Sequence, residues 1–238
     1  FLNTFQNVKL KYIAKNPNHK LYINKYAITS NSEVRLNYNT TGVLIEVRNG
    51  NQVLVSGNLI STGLPLVQLY SDEEISNVYN LGRAVVTEPH STTPAEIMLS
   101  NIRLRGDYAA RVEKKSYNLK LKEADGMSPA YRTFMGLRSD NAWILDAMYI
   151  DPARMRNRVS TDLWLDFSKP VYYAQSEPGM FNGTRGFFVE VFLNNTYNGL
   201  YCMTEKIDRK QLNLKKLKYS ADSSSVTQRG ALYKASSW

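Results

Sequence analysis

The stretch from Ile102 to Leu121 constrains the fold most, because apolar and polar residues alternate on both sides of a charged loop. Ile102 and Leu104 alternate with polar residues before the loop, and Tyr117, Leu119 and Leu121 do so after it. A period of two is typical of strands that bury one face. The sequence therefore predicts an antiparallel hairpin over residues 102–121, around which the other elements are placed.

The loop of this hairpin combines a glycine with basic residues. Gly106 opens the loop, and Arg111, Lys114 and Lys115 carry its positive charge. Glycine lets the backbone approach a ligand closely, and cations bind phosphate oxygens through charge-assisted hydrogen bonds. Because neighbouring strand residues point to opposite faces, Lys115 is expected on the apolar side and Lys114 in water. The loop is interpreted as a cover for an anion such as a nucleotide phosphate, with an ordinary solvated hairpin as the alternative.

The net charge of the 238-residue chain is +9 at pH 7, which favours phosphates, nucleic acid or acidic surfaces as partners. Nucleic acid is the weakest of these, because the basic residues are spread over the whole chain. No helix-turn-helix, zinc-finger or RNA-recognition signature accompanies them. No nucleic-acid partner is therefore expected, and charge alone does not choose between phosphates and acidic surfaces.

Cysteine and histidine are scarce. A single Cys202 excludes an internal disulfide, and with only His19 and His90 it argues against a Cys/His metal site. Cys202 is expected in the core. No run of about 18 apolar residues occurs, so no membrane span is predicted. The chain starts at Phe1, which indicates a mature fragment after removal of a signal or anchor, at an extracellular or cell-surface location.

Residues 1–63 are predicted to form a small all-β unit, a partial sandwich of short antiparallel strands. Asn49-Gly50 is the clearest hairpin signal in it, because this dipeptide favours the tight turns that join two strands. Predicted strands centre on Val8–Tyr12, residues 21–23, residues 34–38, residues 43–47 and residues 53–55. A second unit, 64–238, opens at Leu64-Pro65. No catalytic constellation occurs in the first unit, and its predicted role is that of a spacer or a binding surface.

Asp151-Pro152 predicts a helix start, because Asp is a good N-cap and Pro suits the first helical position. The helix is predicted over 152–167. A core stripe recurs every fourth residue along it, at Met155, Val159 and Leu163. A second stripe forms a neighbouring, solvated face, at Arg154, Arg158 and Asp162.

Residues 187–207 predict a second hairpin that turns near Asn194-Asn195. By alternation, Glu190 and Glu205 fall among large apolar side chains, where an unpaired charge is costly. Lysines of the 102–121 hairpin are candidate partners, and exposure at a sheet edge is the alternative. Together these elements predict an α+β fold with a mainly antiparallel sheet and packed helices.

Several motifs now occur in an order and spacing that resembles the spore-coat CotH kinase family. They are 114–121 (KKSYNLKL), 143–145 (WIL), Asp151, 155–157 (MRN), 189–194 (VEVFLN), 199–201, 204–207 (TEKI) and 230–234 (GALYK). The resemblance covers about residues 64–234. It implies an atypical protein-kinase-like region that uses ATP and Mg²⁺ to phosphorylate secreted or surface proteins.

The resemblance also implies roles by position. The Gly106 loop would cover the phosphates with Arg111, and Lys115 would contact them. Arg156 and Asn157 would face the site from the helix, and Glu205 would lie near the segment that links the lobes. Phosphoryl transfer depends on charge neutralisation and positioning, so a basic cradle is a sensible first half of such a site.

The family's catalytic and metal-binding aspartates lie in Asn-x-Asp and Trp-Asp-x-Asp motifs after the 230–234 strand, and neither motif occurs before Trp238. Asp107-Tyr108 also departs from the Asn-Ser/Thr that commonly follows this loop's Arg-Gly. The sequence therefore predicts a truncated kinase region, inactive as given. The alternatives are a non-catalytic binding member of the family and a cell-surface adhesion protein.

Overall fold

The structure is a computed structural model and describes residues 8–36, 42–89, 91, 94–176, 180–214, 218–219, 226–227 and 232–233. The strands are β1 (Val8–Lys11), β2 (His19–Ile23), β3 (Tyr26–Ile28), β4 (Glu33–Leu36), β5 (Val43–Asn49), β6 (Gln52–Leu59), β7 (Leu66–Tyr70), β8 (Asn80–Thr87), β9 (Ile97–Leu104), β10 (Tyr117–Lys122), β11 (Ala142–Asp146), β12 (Gly186–Leu193), β13 (Thr196–Glu205), β14 (Lys218–Tyr219) and β15 (Val226–Thr227). One α-helix, α1 (Arg156–Phe167), and two short 3₁₀ turns occur in the described part. None of these described helices combines the length and apolar character needed to cross a membrane.

The chain divides into two compact units. The first comprises Phe1–Val67 and Val85–Glu96, and the second comprises Gln68–Ala84 and Ile97–Trp238. The first unit contains the two-stranded sheet β1-β4 and the four-stranded sheet β3-β2-β5-β6. Ile23, Leu36 and Val43 form its buried cluster, against which Leu59 packs.

The predicted hairpin at Asn49-Gly50 is confirmed, because β5 pairs with β6 across this turn and Gly50 has a φ of 57°. The β2–β3 hairpin was not predicted. Its turn, Asn24-Lys25, has φ values of 47° and 72°. Two consecutive residues of positive φ suit a tight hairpin, which the sequence does not signal because no glycine is present. The predicted strand end at Tyr38 lies outside the described residues.

A closed barrel of seven strands dominates the second unit, in the order β10-β11-β13-β12-β7-β8-β9. The described registers are antiparallel: β10 lies between β9 and β11, and β13 lies between β11 and β12. Both predicted hairpins, 102–121 and 187–207, are therefore confirmed and belong to one sheet. One face of the barrel wall carries fully buried side chains, namely Ile102, Leu119, Leu145, Val189, Val191, Tyr201 and Met203.

The turn of the second hairpin is also confirmed. Asn194 and Asn195 have φ values of 48° and 65°, as a two-residue turn between β12 and β13 requires. The Asn194 N–H donates to Leu69 O at 2.9 Å, and its side-chain amide exchanges two 3.0 Å hydrogen bonds with the Ser71 backbone. These bonds join the turn of one hairpin to the end of β7.

The predicted fold class, α+β with packed helices, is wrong. The described residues form a β-rich structure with a closed barrel and a single α-helix. Alternation predicts strands, but it does not show that the first and last strands of a sheet pair with each other, because that pairing is between distant segments. The helices expected to cover an open sheet are replaced by closure of the sheet on itself.

The predicted helix 152–167 and its core stripe are also corrected. Helix α1 begins at Arg156, because Arg154 has a φ of 57° that no α-helix accepts. The Asp151 carboxylate still accepts the backbone N–H groups of Met155 and Arg156 at 2.9 and 2.8 Å. The stripe expected in the core is exposed, with Met155, Val159 and Leu163 at 49%, 45% and 54%. Helix α1 therefore buries its other face.

Candidate functional site

A cleft of about 690 Å³ opens on the opposite face of the barrel wall, within the second unit. Four strands supply its floor at one level, because Arg103 lies opposite Asn118, Asn118 opposite Ile144, and Ile144 opposite Thr204. Residues at one level of paired strands point to the same side. The floor is therefore a continuous row that crosses β9, β10, β11 and β13.

Helix α1 forms the facing wall through Asn157, Arg158 and Thr161. Arg158 holds this wall in place and is only 6% exposed. Its guanidinium donates to Thr184 O at 2.7 Å and to Asp162 Oδ1 at 2.9 Å. A Cβ at Gly186 would lie 3.1 Å from Arg158 Nη1, so the absence of a side chain lets the guanidinium approach the start of β12. Arg158 was expected in water and is instead the buried residue of the helix, whereas Asp162 of the same stripe is exposed.

Three basic side chains line the cleft and retain free donors. Arg103 lies over the Tyr79 ring at 4.7 Å, and its buried Nε has no hydrogen-bond partner in the described structure. The side chains of Arg105 and Lys206 form no hydrogen bond or ion pair with any residue that the structure describes. A buried donor without a partner is costly, which applies to the Arg103 Nε, whereas Arg105 and Lys206 are half-buried and keep donors available to an anionic ligand.

Glu205 lines the same cleft, but its carboxylate is already occupied. Oε1 accepts from Arg138 N at 2.9 Å and from Arg185 Nη2 at 2.8 Å, and Oε2 accepts from Arg185 N at 3.0 Å. The side chain of Glu205 is 1% exposed. The partner of this buried acid is therefore an arginine at the start of β12, not a lysine of the 102–121 hairpin.

Asp146 is the other carboxylate of the cleft. Its Oδ1 accepts the Met148 N–H at 3.0 Å, and Ser116 Oγ lies 3.4 Å away. Ser116 Oγ in turn accepts the Ala147 N–H at 2.9 Å. These bonds fix Asp146 at the end of β11, where it remains half-buried. Its single negative charge does not balance the cations around it.

The structure brings three of the six sequence-predicted site residues to the cleft: Gly106, Asn157 and Glu205. Gly106 has a φ of 89°, and a Cβ there would lie 3.0 Å from the Ala109 Cβ, so the turn requires a glycine. The binding roles of these residues stay predictions.

The other three predicted residues lie elsewhere. Lys115 Nζ donates to the carbonyl oxygens of Ala110 and Val112 at 3.0 and 2.6 Å. Arg111 pairs with Asp107 at 2.7 Å, and both side chains are largely exposed. Arg156 pairs with Asp151 at 3.4 Å and is 72% exposed. A phosphate would have to displace these contacts to use the three cations, and their binding roles also stay predictions.

Sequence reasoning missed Arg103, Arg105 and Lys206. The available signal was the alternation that predicted the first hairpin. Arg103 and Asn118 occupy the polar positions between apolar neighbours, and a face that is polar on two paired strands is a candidate site wall. The charge-rich loop was the stronger sequence signal, although Arg111 and Lys115 are paired within the loop and Lys114 donates to Leu200 O.

Lys114 was expected in water and is instead half-buried. Its ammonium donates to Leu200 O at 2.5 Å and lies 4.3 Å from the centre of the Tyr201 ring. Burial, reinforced by the charge on Arg154, lowers the pKa of Lys114 to about 8, and Glu190 opposes that change. Glu190 itself accepts a 2.5 Å hydrogen bond from the Tyr197 hydroxyl, whose pKa rises through burial and this bond.

Cys202 is buried, as predicted, although it also contributes to the cleft lining. Burial raises the pKa of its thiol to about 12, and the nearby Arg158 charge opposes the rise. The thiolate is the reactive form of cysteine. Cys202 is therefore an unreactive wall residue at neutral pH.

The cleft residues match the chemistry of a nucleotide's phosphates better than that of its magnesium ion. The free cations suit phosphate oxygens. Magnesium prefers carboxylate oxygens, and of the two cleft carboxylates Glu205 is already saturated. Within the described ranges no group of three or more His, Cys, Asp or Glu residues is placed to hold a metal ion. The described residues therefore fit the anionic part of a nucleotide and do not by themselves form a magnesium site.

A family model described as CotH kinase protein matches residues 102–237, which is more than half of the chain. The matched region begins in β9 and contains the cleft floor. No curated protein matches the sequence.

Proposed function

The chain belongs to the CotH kinase protein family, and on that premise we propose that the cleft binds the phosphates of ATP as the nucleotide site of a kinase-type region. Secreted or surface proteins are the proposed acceptors, and an extracellular or cell-surface location is part of the same proposal. The observation that carries the proposal is the presence of three cleft cations with free donors, Arg103, Arg105 and Lys206.

The charge of the cleft favours a polyphosphate. Arg105 and Lys206 have no partner among the described residues, and the Glu205 charge is neutralised by Arg185. Only Asp146 opposes them from the cleft lining without a cationic partner of its own. Each charge-assisted bond to phosphate contributes about 1.5–3 kcal/mol. Two or three such bonds sum to about 3–9 kcal/mol, so after the cost of association they account for affinity no tighter than about 0.1 mM, and further contacts are needed for tighter binding.

The cleft also offers an apolar surface beside its cations. Ile144, Met148 and Ile207 line it, and Ile144 occupies the centre of the floor row. A purine ring requires such a surface, because stacking and dispersion supply its binding energy. The lining therefore suits a ligand with one flat apolar end and one anionic end, as a nucleotide has.

The contribution of these residues to phosphoryl transfer would be positioning and charge neutralisation, which dominate such catalysis. Arg105 and Lys206 would hold phosphate oxygens. Arg158 would keep the helix wall fixed through Thr184 and Asp162. Mg²⁺ would supply further charge neutralisation when bound with the nucleotide.

Calorimetric titration of ATP tests the proposal. Arg105→Met and Lys206→Met should each weaken binding about 10- to 100-fold, the equivalent of one charge-assisted contact. Arg111→Met is the matched control. Arg111 lies in the same loop as Arg105, but it already forms an ion pair with Asp107. It should bind ATP as the wild type does. Equal affinities for all four proteins, or no binding by the wild type at millimolar ATP, would overturn the proposal.

A second candidate is a non-catalytic binding or adhesion protein on the same scaffold. Exposed aromatic residues favour it, with Tyr26 at 77%, Tyr108 at 66% and Tyr172 at 97%. Tyrosine contributes large contact area at interfaces. Lack of ATP binding by the wild type would support this candidate, whereas absence of phosphate transfer alone would not, because the region as given is predicted to be inactive.

A further inference from the structure

Strand β6 forms an unprotected edge of the four-stranded sheet in the first unit. In the part of the chain that the structure describes, β6 pairs with β5 on one side only. Seven of its eight residues are exposed, and the apolar Val55 is 64% exposed. An edge strand presents unpaired N–H and C=O groups to any other strand.

The features that usually protect an edge strand from pairing with another chain are largely missing from β6. Stretch 52–59 contains no charged residue and no proline. The opposite edge, β3, is only three residues long and follows Lys25 directly. A bulge interrupts β6 near Val53-Leu54, where the register against β5 shifts, but residues 55–59 pair with β5 without interruption. The five residues from Val55 to Leu59 therefore offer a regular, uncharged edge.

Gly57 lies at the centre of this regular stretch, and neither its backbone conformation nor a contact within the described chain requires a glycine there. Its φ is not positive, and a Cβ built there would meet nothing within 4 Å. Glycine weakens a strand, and in strand interiors it often marks the close approach of another backbone. The described chain therefore places nothing over the face of the sheet at the centre of the exposed edge.

The stretch is symmetric about Gly57, with the order apolar, polar, glycine, polar, apolar over residues 55–59. We propose that β6 pairs with β6 of a second copy of this chain, antiparallel about a two-fold axis at Gly57. The two-fold axis places Ser56 opposite the second copy's Asn58, and Val55 opposite its Leu59. Identical surfaces meet across such an axis, so the interface is closed.

The pairing gives the exposed Val55 an apolar neighbour. Leu59 is partly buried and packs against the core cluster of the first unit. In the dimer each Val55 side chain lies beside the Leu59 of the other copy, which extends both cores across the axis. No like charges oppose each other, because the strand carries none. The two four-stranded sheets become one sheet of eight strands.

The interface is narrow, below the roughly 1,200 Å² of total buried area that stable complexes exceed. We therefore expect a dimer that forms at micromolar concentrations or above. The proposal does not depend on nucleotide binding in the second unit.

Cysteine cross-linking tests the axis. A disulfide requires Cα atoms within about 7 Å, which only directly opposed residues satisfy. Gly57→Cys should cross-link with itself under mild oxidation, and its added Cβ has open space. Ser56→Cys and Asn58→Cys should each stay monomeric alone and cross-link when mixed. The wild type is the control, since its single Cys202 is buried. Cross-linking of each variant alone and of all mixtures alike would overturn the register.

Sedimentation equilibrium over about 1 μM to about 1 mM protein tests the dimer itself. Val55→Lys places an ammonium group, in place of an apolar side chain, opposite the second copy's Leu59 and should raise the dissociation constant at least tenfold. Tyr26→Lys, on the opposite edge, is the matched control, because Tyr26 is 77% exposed. It should leave the dimer unchanged. A wild type that stays monomeric throughout, or an equal effect of the two lysines, would overturn the proposal.

Discussion

The cleft and the loop segment 107–115 both carry basic residues, but the donors of these residues are used differently. In the cleft, Arg105 and Lys206 have no partner among the described residues. In the loop, Lys115 donates to two backbone carbonyls, and Arg111 pairs with Asp107. A cation contributes to ligand binding only if its donors are not already used within the protein. The density of charge in the sequence is therefore a poor guide to the site.

The same distinction divides the acidic residues. Glu205 lines the cleft but accepts three hydrogen bonds from Arg138 and Arg185. Asp146 keeps one oxygen without a described protein partner. We expect substitution of engaged groups to reduce stability, and substitution of free groups to reduce ligand binding.

Glu205→Ala should lower the free energy of unfolding by about 3–5 kcal/mol, because it leaves the Arg185 guanidinium without its buried partner. Urea denaturation monitored by tryptophan fluorescence measures this change. Glu205→Gln, which keeps the volume and one acceptor, should lose less. A loss below about 1 kcal/mol in Glu205→Ala would show that the group is not structurally engaged.

Lys115→Met should lower the free energy of unfolding by about 1–2 kcal/mol, since two carbonyl oxygens lose their donor. Its effect on ATP affinity should be smaller than that of Arg105→Met. Paired denaturation and calorimetry on both variants give the comparison. A larger loss of affinity in Lys115→Met would show that its ammonium leaves the loop carbonyls for the ligand, which is the role implied by the family resemblance.

Lys114 should make stability depend on pH. Its pKa is about 8 in the folded protein, below the ordinary value of 10.5, so the unfolded chain binds more protons between these values. The free energy of unfolding should therefore rise between pH 8 and about 9.5, by about 1 kcal/mol after solvent screening. Above that range the tyrosines interfere, because burial raises the pKa of Tyr117 and Tyr201 in the folded protein. Lys114→Met should abolish the rise, whereas a slope that persists in this variant would assign it to another group.

Arg111→Ala should have the smallest effect, within about 0.5 kcal/mol of the wild-type stability, because both members of its ion pair are largely exposed. Thermal denaturation at low and high salt measures it. A loss above 1 kcal/mol would mean that the loop depends on this pair and that its charges are more than a solvated surface.

The hairpins were predictable because their information is local. Alternation over residues 102–121 and 187–207 specified which side chains share a face, and the asparagine turn specified where the second hairpin reverses. Closure of the barrel was not predictable, since it depends on β7 pairing with β12 across a long stretch of chain. The buried side of helix α1 was missed for a similar reason, because the acceptor for Arg158 is the distant Thr184 carbonyl.

A shift of one residue in strand register decides which residue pairs with Glu205. A regular two-residue turn at Asn194-Asn195 would place Glu205 opposite Thr184. The register shifts by one residue between Val191 and Phe192, so Gly186 lies opposite Thr204 and Arg185 reaches Glu205. The bulge coincides with Gly199, whose φ is 99°. Glycine in an alternating strand was the available signal for this shift.

Closure of the barrel also bears on how the protein can be divided and how it folds. The matched region, 102–237, lacks β7 and β8, so a fragment with those limits would leave the edges of β9 and β12 bare. Such edges invite pairing between chains. Strand β7 lies far before β12 in the sequence and cannot complete its pairing until β12 is in place. Each hairpin, in contrast, can form from its own residues. Pairings between distant segments are slow to form, so the last step of folding should be the joining of β7 to β12.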